Sequence, residues 1–460
     1  MPELIPYSSA WWLDRLCTEL DRRATFYSRL GSYYDGRQPL AFGSKKFNEA
    51  FAKLFVGFGD NFCRLVVQAT EERLTVEGFR IGDPAGDKKA WRIWQANQMD
   101  NQSQKAHREA LIKSECSIIV WPGPAGGTPL IRVQKPEEVI VAYADDPLER
   151  AVALKRWQAP DGRRLATLYY ADSLEKYEAR AGTSPIVWQP RRVAGEPWPL
   201  PHDLGVVPVV PLVNDPDLDN AGTSEIESVI PLQDALNKEL VDMLVASEYG
   251  AFRQRWATGL EIPVDPETGK ALEPFKVAID RIWATAAPDA KFGEFGQTDL
   301  GPYVKAIETL IQHIASTTRT PPHYLLGQAG SFPSGESLKA TETGLVAKAL
   351  RRQRDFGEAW EEVIRIAFRA AGDSKRAGAI DSETIWRDPE SRTESEHVDA
   401  LVKMGSLDVP TEVLWEKWGA TPQEITRWKA LAAPLPAEPP TSPSDMTGTH
   451  DMAGTQPALT

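Results

Sequence analysis

The sequence predicts an α+β protein in which helical segments flank a central β region. Two segments, 8–31 and 224–250, place apolar side chains at helical spacing, whereas residues 117–213 alternate short apolar stretches with turn residues. An apolar stripe over about 336–371 indicates the longest helix of the chain. The 460 residues are enough for about two to four packing units.

The N-terminal part is predicted to be helical before the chain turns to strands. We expect a helix over 8–31 that is capped by Ser8 or Ser9 and stopped by Gly31, then helices over 45–56 and 87–114. The β region that follows is predicted to be mostly antiparallel, with Asp161-Gly162 as a hairpin turn. The expected strands are Ser117–Trp121, Leu130–Gln134, Val139–Tyr143, Ala151–Gln158, Arg164–Tyr170, Ile186–Gln189 and Val206–Val213.

The C-terminal half is predicted to be helical again. Helices over 224–250 and 301–319 bracket a Pro-rich segment, and Ser224 with Glu227 fits a capping box at the start of the first helix. Pro321-Pro322 ends the second helix, and a run of small residues precedes the long helix. The remaining segments are a short strand around Thr384–Arg387, short helices over 392–432, and a tail, 434–460, whose Pro, Ser, Thr and Gly content predicts disorder.

Composition and charge exclude several classes of protein. A net charge of −13 is unlike that of proteins that grip DNA through its phosphates. No apolar run is long enough to span a bilayer, and the N-terminus lacks the pattern of a secretory signal, so we expect folding in the cytoplasm. Cys17, Cys63 and Cys116 form neither a CxxC pair nor a disulfide framework, and they are expected to be buried thiols.

The motifs of nucleotide, metal and hydrolytic chemistry are missing from the sequence. Gly269-Lys270 lacks the leading glycine and the following hydroxyl of a P-loop, and no GxGxxG, HExxH, GxSxG or EF-hand pattern occurs. The six histidines have no second ligand at helical spacing. The carboxylate pairs at 145–146 and 361–362 are interpreted as solvated surface. We therefore predict no catalytic residue, no metal and no cofactor.

Two features of the sequence allow more than one interpretation. Lys348, Arg351, Arg352 and Arg354 cluster on the long helix; we interpret them as partners in salt bridges on the helix face or between subunits, with contact to DNA or scaffold as the alternative. The 15 tryptophans indicate packing and subunit interfaces, with a carbohydrate platform as the alternative.

Four motifs together resemble the portal family of long-tailed phages of Gram-positive hosts. They follow in the family's order over roughly 30–430. A departure is Glu115-Cys116, where similar sequences tend to have a glycine. The motifs are Tyr33-Tyr34-Asp35-Gly36-x-x-Pro39-Leu40; Trp94-x-x-Asn97-x-x-Asp100 followed by His107; Ser224-Glu225-Ile226-Glu227 with Ile230 to Lys238; and Pro321 to Gly327 with Ser334 to Lys339.

The resemblance implies a portal fold with an α/β wing, a two-helix stem, a small clip, a tunnel loop, a long wing helix and a helical crown. Mapped onto this chain, the parts are the wing at 1–222, stem helices at 223–257 and 298–320 on either side of the clip at 258–297, the tunnel loop at 321–337, the long wing helix and its return strand at 338–391, helices near the crown at 392–433 and a disordered tail at 434–460.

The resemblance also implies a structural role in the virion and no enzymatic activity. Family members form a ring, usually of twelve subunits, at the unique capsid vertex, where double-stranded DNA is packaged and ejected. The implied partners are other copies of the chain, DNA, the terminase large subunit, the head–tail adaptor, the major capsid protein and scaffold, with assembly in the host cytoplasm and no membrane.

The site residues follow from the same mapping. A loop of small, polar, weakly charged residues suits DNA that must slide, because tight phosphate contacts would have to be broken at each step. The DNA-facing tunnel loop is assigned Gln328, Ser331, Phe332, Ser334 and Lys339, and the stem or subunit interface is assigned Leu236, Leu240, Leu244, Ile307, Ile311 and Ile314.

Two other classes of function stay open at this point. One is another structural head or adaptor protein of a virion that has no DNA channel. The other is a carbohydrate-active hydrolase that uses scattered carboxylates and tryptophans.

Overall fold

The computed structural model of the chain mixes helices and strands, which confirms the α+β class. It describes residues 4–39, 41, 59–81, 86–180, 182, 186–251, 255–259, 266–267, 289–294, 296, 299–326, 335–390 and 394–432. The chain divides into two compact units, Met1–Glu396 and His397–Thr460.

The N-terminal helices need three corrections. Helix α1, Ser9–Tyr34, begins where the Ser8 side chain accepts a hydrogen bond from a backbone N–H, but it continues past Gly31, so the predicted stop there is wrong. Helix α2, Phe62–Glu71, was not predicted. The single helix predicted over 87–114 is two, α3 (Lys88–Ala96) and α4 (Met99–Lys113), separated by the left-handed residue Gln98. The helix predicted over 45–56 lies outside the described residues.

The central strands form antiparallel sheets, as predicted. The strands are β2 Glu115–Trp121, β3 Leu130–Gln134, β4 Val139–Tyr143, β5 Arg150–Gln158, β6 Arg164–Tyr169, β7 Ser173–Ala179, β8 Gln189–Pro190, β9 Leu200–Pro201 and β10 Val209–Val213. One sheet has the order β10-β2-β3, and another runs β4-β5-β6-β7-β8 with β9 beside β7. The Asp161-Gly162 turn joins β5 to β6, with Gly162 at a positive φ of 85°.

Four strands in this region differ from the prediction. Strand β7 was not predicted, because its Ser-Leu-Glu-Lys-Tyr-Glu-Ala sequence carries three charges on a partly exposed sheet. Strand β9 was not predicted either, and the strand predicted over Ile186–Gln189 is only the two-residue β8. Strand β10 begins at Val209 and not at the predicted Val206. A separate pair joins β1, Val76–Arg80, to β13, Glu383–Trp386, so the strand predicted near Thr384 is confirmed within one residue.

Helices α5 and α6 are the pair that the sequence placed around the Pro-rich segment. Helix α5 spans Ile230–Ala251 and α6 spans Gly301–Thr318, and the two pack together. The predicted start of α5 at Ser224 is wrong, because residues 225–229 form turns and the helix begins beside Pro231. Two short strands, β11 (Arg255–Thr258) and β12 (Lys291–Glu294), pair between the helices.

The long helix lies in the main core, as its apolar stripe predicted. Helix α8, Gly335–Ala370, has 36 residues and a length of roughly 50 Å. It follows the single helical turn α7, Pro322–Leu325, and precedes α9, Ser374–Ala377. Its fully buried Phe356, Trp360 and Val363 pack with residues of α2, α3, α4 and β2. A second core holds α1 against the six-stranded sheet through Leu13, Leu16, Leu20, Val152, Leu154, Ala166 and Leu168.

The second unit contains short helices, which confirms that prediction for 392–432. They are α10 (Glu394–Gly405, most of it in this unit), α11 (Thr411–Trp418) and α12 (Pro422–Ala432). Trp415 and Trp428 meet edge to face with ring centroids 5.5 Å apart. The predicted disordered tail lies outside the described residues. None of the helices in the described ranges is long and apolar enough to cross a membrane.

Candidate functional site

The motif residues of the first and third blocks meet at the start of α5. The Tyr33 hydroxyl donates to Asp234 at 2.9 Å, and the Asn61 side chain donates to the carbonyl of Tyr34 at 2.8 Å. The Gln233 amide accepts from the N–H of Phe62 and donates to the carbonyl of Asp60, both at 2.8 Å. These bonds fix the first turns of α5 to the end of α1 and the start of α2.

The second motif is a buried corner between α3 and α4. The Trp94 indole donates to Asp100 at 2.9 Å. The Asn97 side chain donates to the carbonyls of Ile93 and Pro129 and accepts from the N–H of Ile131. Asn97 is needed here because it supplies hydrogen-bond partners to buried backbone groups of Ile93, Pro129 and Ile131.

The predicted stem residues have different environments within the chain. Leu236, Ile311 and Ile314 are buried in the main core, which the helix pair shares with α8. Leu240 and Ile307 pack against that core from its margin, and Leu244 is half-buried. The core of the subunit itself therefore contains Leu236, Ile311 and Ile314. That the six predicted stem residues contact a neighbouring subunit stays a prediction.

Part of the segment 321–337, which was predicted to be the tunnel loop, is helical, because α7 lies within it and α8 begins at Gly335. Gln328, Ser331, Phe332 and Ser334 lie outside the described residues. Lys339 is on the first turns of α8 and is partly buried. Its contact with DNA stays a prediction.

The basic cluster of α8 forms salt bridges inside the chain. Lys348 and Arg352 are buried, at 8% and 5% exposure, and both meet Glu225, with the Arg352 guanidinium 2.8 Å from its carboxylate. The carboxylate of Asp215 forms ion pairs with Arg352 and with the exposed Arg351, at 3.0 Å and 2.9 Å. These three residues form salt bridges, as predicted, but their main partners lie on a distant segment of the same chain and not on the helix face or on another subunit. Burial removes Lys348 and Arg352 as DNA contacts.

The charges in this cluster shift each other's pKa. Burial lowers the pKa of Lys348 below its ordinary value, although Glu225 opposes that effect. Burial raises the pKa of Glu225, but the charges of Lys348 and Arg352 outweigh it and leave that pKa below the ordinary value. The carboxylate is therefore ionised near neutral pH and holds both cations in place.

Helix α6 presents a polar face of low net charge on the side away from the core. Its exposed residues include one lysine and one glutamate, so their charges cancel. The remaining polar members carry hydroxyl, amide or imidazole groups. Beyond Gly301 and Pro302 at its start, the exposed residues are Val304, Lys305, Glu308, Thr309, Gln312, His313, Ser316 and Thr317.

The two carboxylate pairs that the sequence singled out lie in different environments. Asp145 and Asp146 are exposed, as predicted, but the pair at 361–362 is not solvated surface, because Glu361 accepts from the N–H of Thr384 and Glu362 binds Arg150 at 2.8 Å. No cluster of metal-binding side chains occurs in the part of the chain that the structure describes.

An open groove of about 680 Å³ lies between α1 and β4 and is lined in part by Trp11, Asp14 and Glu19. Hydrogen bonding from Arg22, with further contributions from Arg23, lowers the pKa of Glu19 to about 2. A carboxyl with such a low pKa is a poor general acid.

Comparison with known proteins decides between the classes of function. The sequence profile of the family described as phage portal protein, SPP1 Gp6-like, matches residues 13–433. The chain belongs to this family. The match covers the β region, the α5–α6 pair and α8, so the resemblance seen in the four motifs is confirmed.

Individual phage portal proteins show the same similarity. The portal protein of Mycobacterium phage D29 is 33% identical over 388 residues, which cover 79% of this chain and 77% of the relative. The portal protein of Mycobacterium phage L5 is 33% identical over 395 residues, covering 81% and 77%. Phage portal proteins are structural components of the virion, and this family assignment gives the chain a portal function in the context of capsid assembly and DNA packaging.

Proposed function

We propose that the chain forms the ring at the unique capsid vertex through which double-stranded DNA is packaged and ejected. The observation that carries the proposal is the portal-family match over 13–433, which includes every element of the α5–α6 and α8 region. Copies of the chain, usually twelve, close the ring by heterologous contacts, in which different surfaces of neighbouring subunits meet.

The α5–α6 pair serves as the stem, and the segment between its helices serves as the clip. Strand β11 follows α5 and β12 precedes α6, so the two strands join the helices as a ribbon. The clip docks the terminase large subunit during packaging and the head–tail adaptor afterwards. Residues 1–222 and 338–391 form the wing, which meets the major capsid protein and scaffold, and residues 392–433 lie near the crown.

The proposed role of the chain toward DNA is passive. The exposed face of α6 and the segment from Gln328 to Ser334 are polar with little net charge, which supports sliding because few phosphate contacts must be broken. The DNA-facing residues are Gln328, Ser331, Phe332, Ser334 and Lys339. The driving force for packaging comes from the terminase, and the subunits assemble in the host cytoplasm.

Negative-stain electron microscopy of the purified protein tests the ring directly. We expect closed rings with a central bore. Monodisperse monomers under assembly conditions would contradict the proposal and favour a head protein without a channel.

A loop replacement tests the proposed channel role of residues 328–334. A variant in which these residues carry several lysines should still form rings but should package less DNA, because each lysine adds a phosphate contact. A loop of the same length built from Gly, Ser and Gln is the matched control. Normal packaging by the lysine variant would show that this segment does not face DNA.

A further inference from the structure

The corner between α6 and α7 lies along the first half of α8 and meets it at three successive places, two of which are hydrogen bonds. In chain order, Thr318 contacts Lys348, Arg319 lies near Gly344, and Tyr324 contacts Glu342. Residue numbers rise along the corner and fall along α8, so the two segments run antiparallel.

The first contact joins the end of α6 to a buried cation. The Lys348 ammonium donates to the carbonyl of Thr318 at 2.9 Å and lies 3.4 Å from the carboxylate of Glu225. Both side chains are only 8% exposed. The carbonyl end of a helix attracts positive charge, so Lys348 interacts favourably with α6 as well as with its ionic partner.

The second place is a close approach at Gly344. A Cβ atom placed on Gly344 would lie 3.5 Å from the Cβ of Arg319 and 3.9 Å from its carbonyl oxygen. Between its two polar contacts, the space between α8 and the corner would therefore hold about one methyl group.

The third contact is a small network around the Tyr324 hydroxyl. It donates to Glu342 at 3.0 Å and accepts from Arg73 at 2.9 Å. The guanidinium of Arg73 also lies 5.7 Å from the centre of the Tyr324 ring and 3.5 Å from Glu342. The Arg73 side chain is 9% exposed and that of Glu342 is 13% exposed, so the ion pair is largely shielded from water.

We propose that Lys348 and Glu342 are positioning residues that lock the corner Thr318–Leu325 to α8, so that α6, α7 and α8 move as one rigid body. Each of these two residues is a charged side chain of α8 that hydrogen-bonds a polar group of the corner, the Thr318 carbonyl or the Tyr324 hydroxyl. Separating such a bond takes a partner from a charge that is shielded from water, which makes independent motion of the corner costly. Two such bonds, one at each end of the corner, fix its orientation as well as its position. A displacement of α6 is then carried into α8 and is not absorbed by the corner. The consequence for DNA passage rests on the proposed function of α6 as a channel helix.

Pulsed electron paramagnetic resonance on full-length assemblies measures this coupling. Spin labels at the exposed Ser316 and Arg354 report the distance between α6 and α8, in labelled subunits diluted with unlabelled ones. We expect one narrow distance distribution in the parent chain. Lys348→Met combined with Tyr324→Phe should broaden it at least twofold. Lys403→Met, which breaks an exposed ion pair with Asp399, is the matched control and should leave the distribution unchanged.

The single variant Tyr324→Phe keeps the experiment decisive if the double variant does not fold. It removes one hydroxyl and keeps the ring, so it should broaden the distance distribution partially. Glu342→Gln retains an acceptor for that hydroxyl and should therefore broaden the distribution less than Tyr324→Phe does. A distribution as narrow as the parent's in folded Tyr324→Phe and in the double variant would overturn the proposal.

Comparing DNA packaging by the lysine-loop variant with the distances in the double variant separates this proposal from the channel role. If the lysine loop at 328–334 impairs packaging while the distances in the double variant stay narrow, the coupling is refuted and the channel role stands. If the distances broaden while the lysine loop packages normally, the coupling stands and the channel role fails.

Discussion

The indole N–H of Trp360 donates a hydrogen bond of 2.9 Å to Nε2 of His107. The other ring nitrogen, Nδ1, donates to the carbonyl of Leu74 at 3.1 Å, because Nε2 is already the acceptor. The ring is fully buried and stacks on Phe356 with centroids 5.3 Å apart. His107 thus joins α4 to the long helix α8 and to the segment before β1 as a neutral imidazole.

Acid should destabilise the chain through His107. Burial lowers the pKa of His107 to about 3 in the folded state, whereas the unfolded chain takes up a proton near pH 6.5. The unfolded state therefore binds more protons between these values, and the free energy of unfolding should fall by up to about 1.4 kcal/mol per pH unit as pH drops from about 6.5 to about 3. Urea denaturation at a series of pH values measures this slope.

Two variants isolate the contribution of His107 to that slope. His107→Gln, which cannot titrate, should be less stable at pH 7 but should lose less stability on acidification. His313→Gln, on the exposed face of α6, should keep the slope of the parent chain. Equal slopes in the parent and in His107→Gln would contradict the assignment.

Replacing Asn97 by alanine should cost about 2–3 kcal/mol of stability. The Asn97 side chain serves the carbonyl of Pro129 at 2.8 Å and the N–H of Ile131 at 2.9 Å, and both would be left buried without it. The exposed Asn101 provides the matched control, and its alanine variant should change stability by less than about 0.5 kcal/mol. Urea denaturation midpoints measure both, and equal losses would refute the role of Asn97.

The three cysteine thiols should react with a thiol reagent only after unfolding. All are buried, and burial raises the pKa of Cys17 to about 11, that of Cys63 to about 12 and that of Cys116 further still. The thiolate is the reactive form, so native protein at pH 8 should show slow labelling and denatured protein three rapid equivalents. Fast labelling of any cysteine under native conditions would contradict this burial.

Glycine should be preferred over a β-branched residue at position 319. Arg319 follows α6 in the left-handed conformation with φ 55°, and the N–H of Thr320 reaches back to the carbonyl of Ala315 at 3.0 Å. Arg319→Gly should preserve or raise stability by up to about 1 kcal/mol, because glycine adopts this conformation without a steric penalty. Arg319→Val should lower stability by about 1–2 kcal/mol. Equal melting temperatures for the two variants would contradict the strain argument.

Local pattern was sufficient for much of the fold. The stripe through Phe356, Trp360 and Val363 predicted α8 within about one residue of its observed ends, because helical periodicity is encoded in neighbouring residues. The Asp161-Gly162 turn predicted its hairpin for the same reason. Strand β7 was missed because its charged residues give a weak local signal on a partly exposed sheet.

The sequence alone determined the family, since four motifs in order are a linear property of the chain. Only the tertiary structure decided what those motifs do. Ser224 and Glu227 fit a capping box at a helix start, yet the N–H of Glu225, between them, donates to the carbonyl of Leu111. The Glu225 carboxylate binds Lys348 and Arg352, which are more than 120 residues away in sequence. The long-range ionic pairing outweighed the local capping preference, so the helix begins at Ile230 and Lys348 and Arg352 point inward. No spacing in the sequence shows such pairs, because they form only when distant segments pack together and exclude the water that would weaken their attraction.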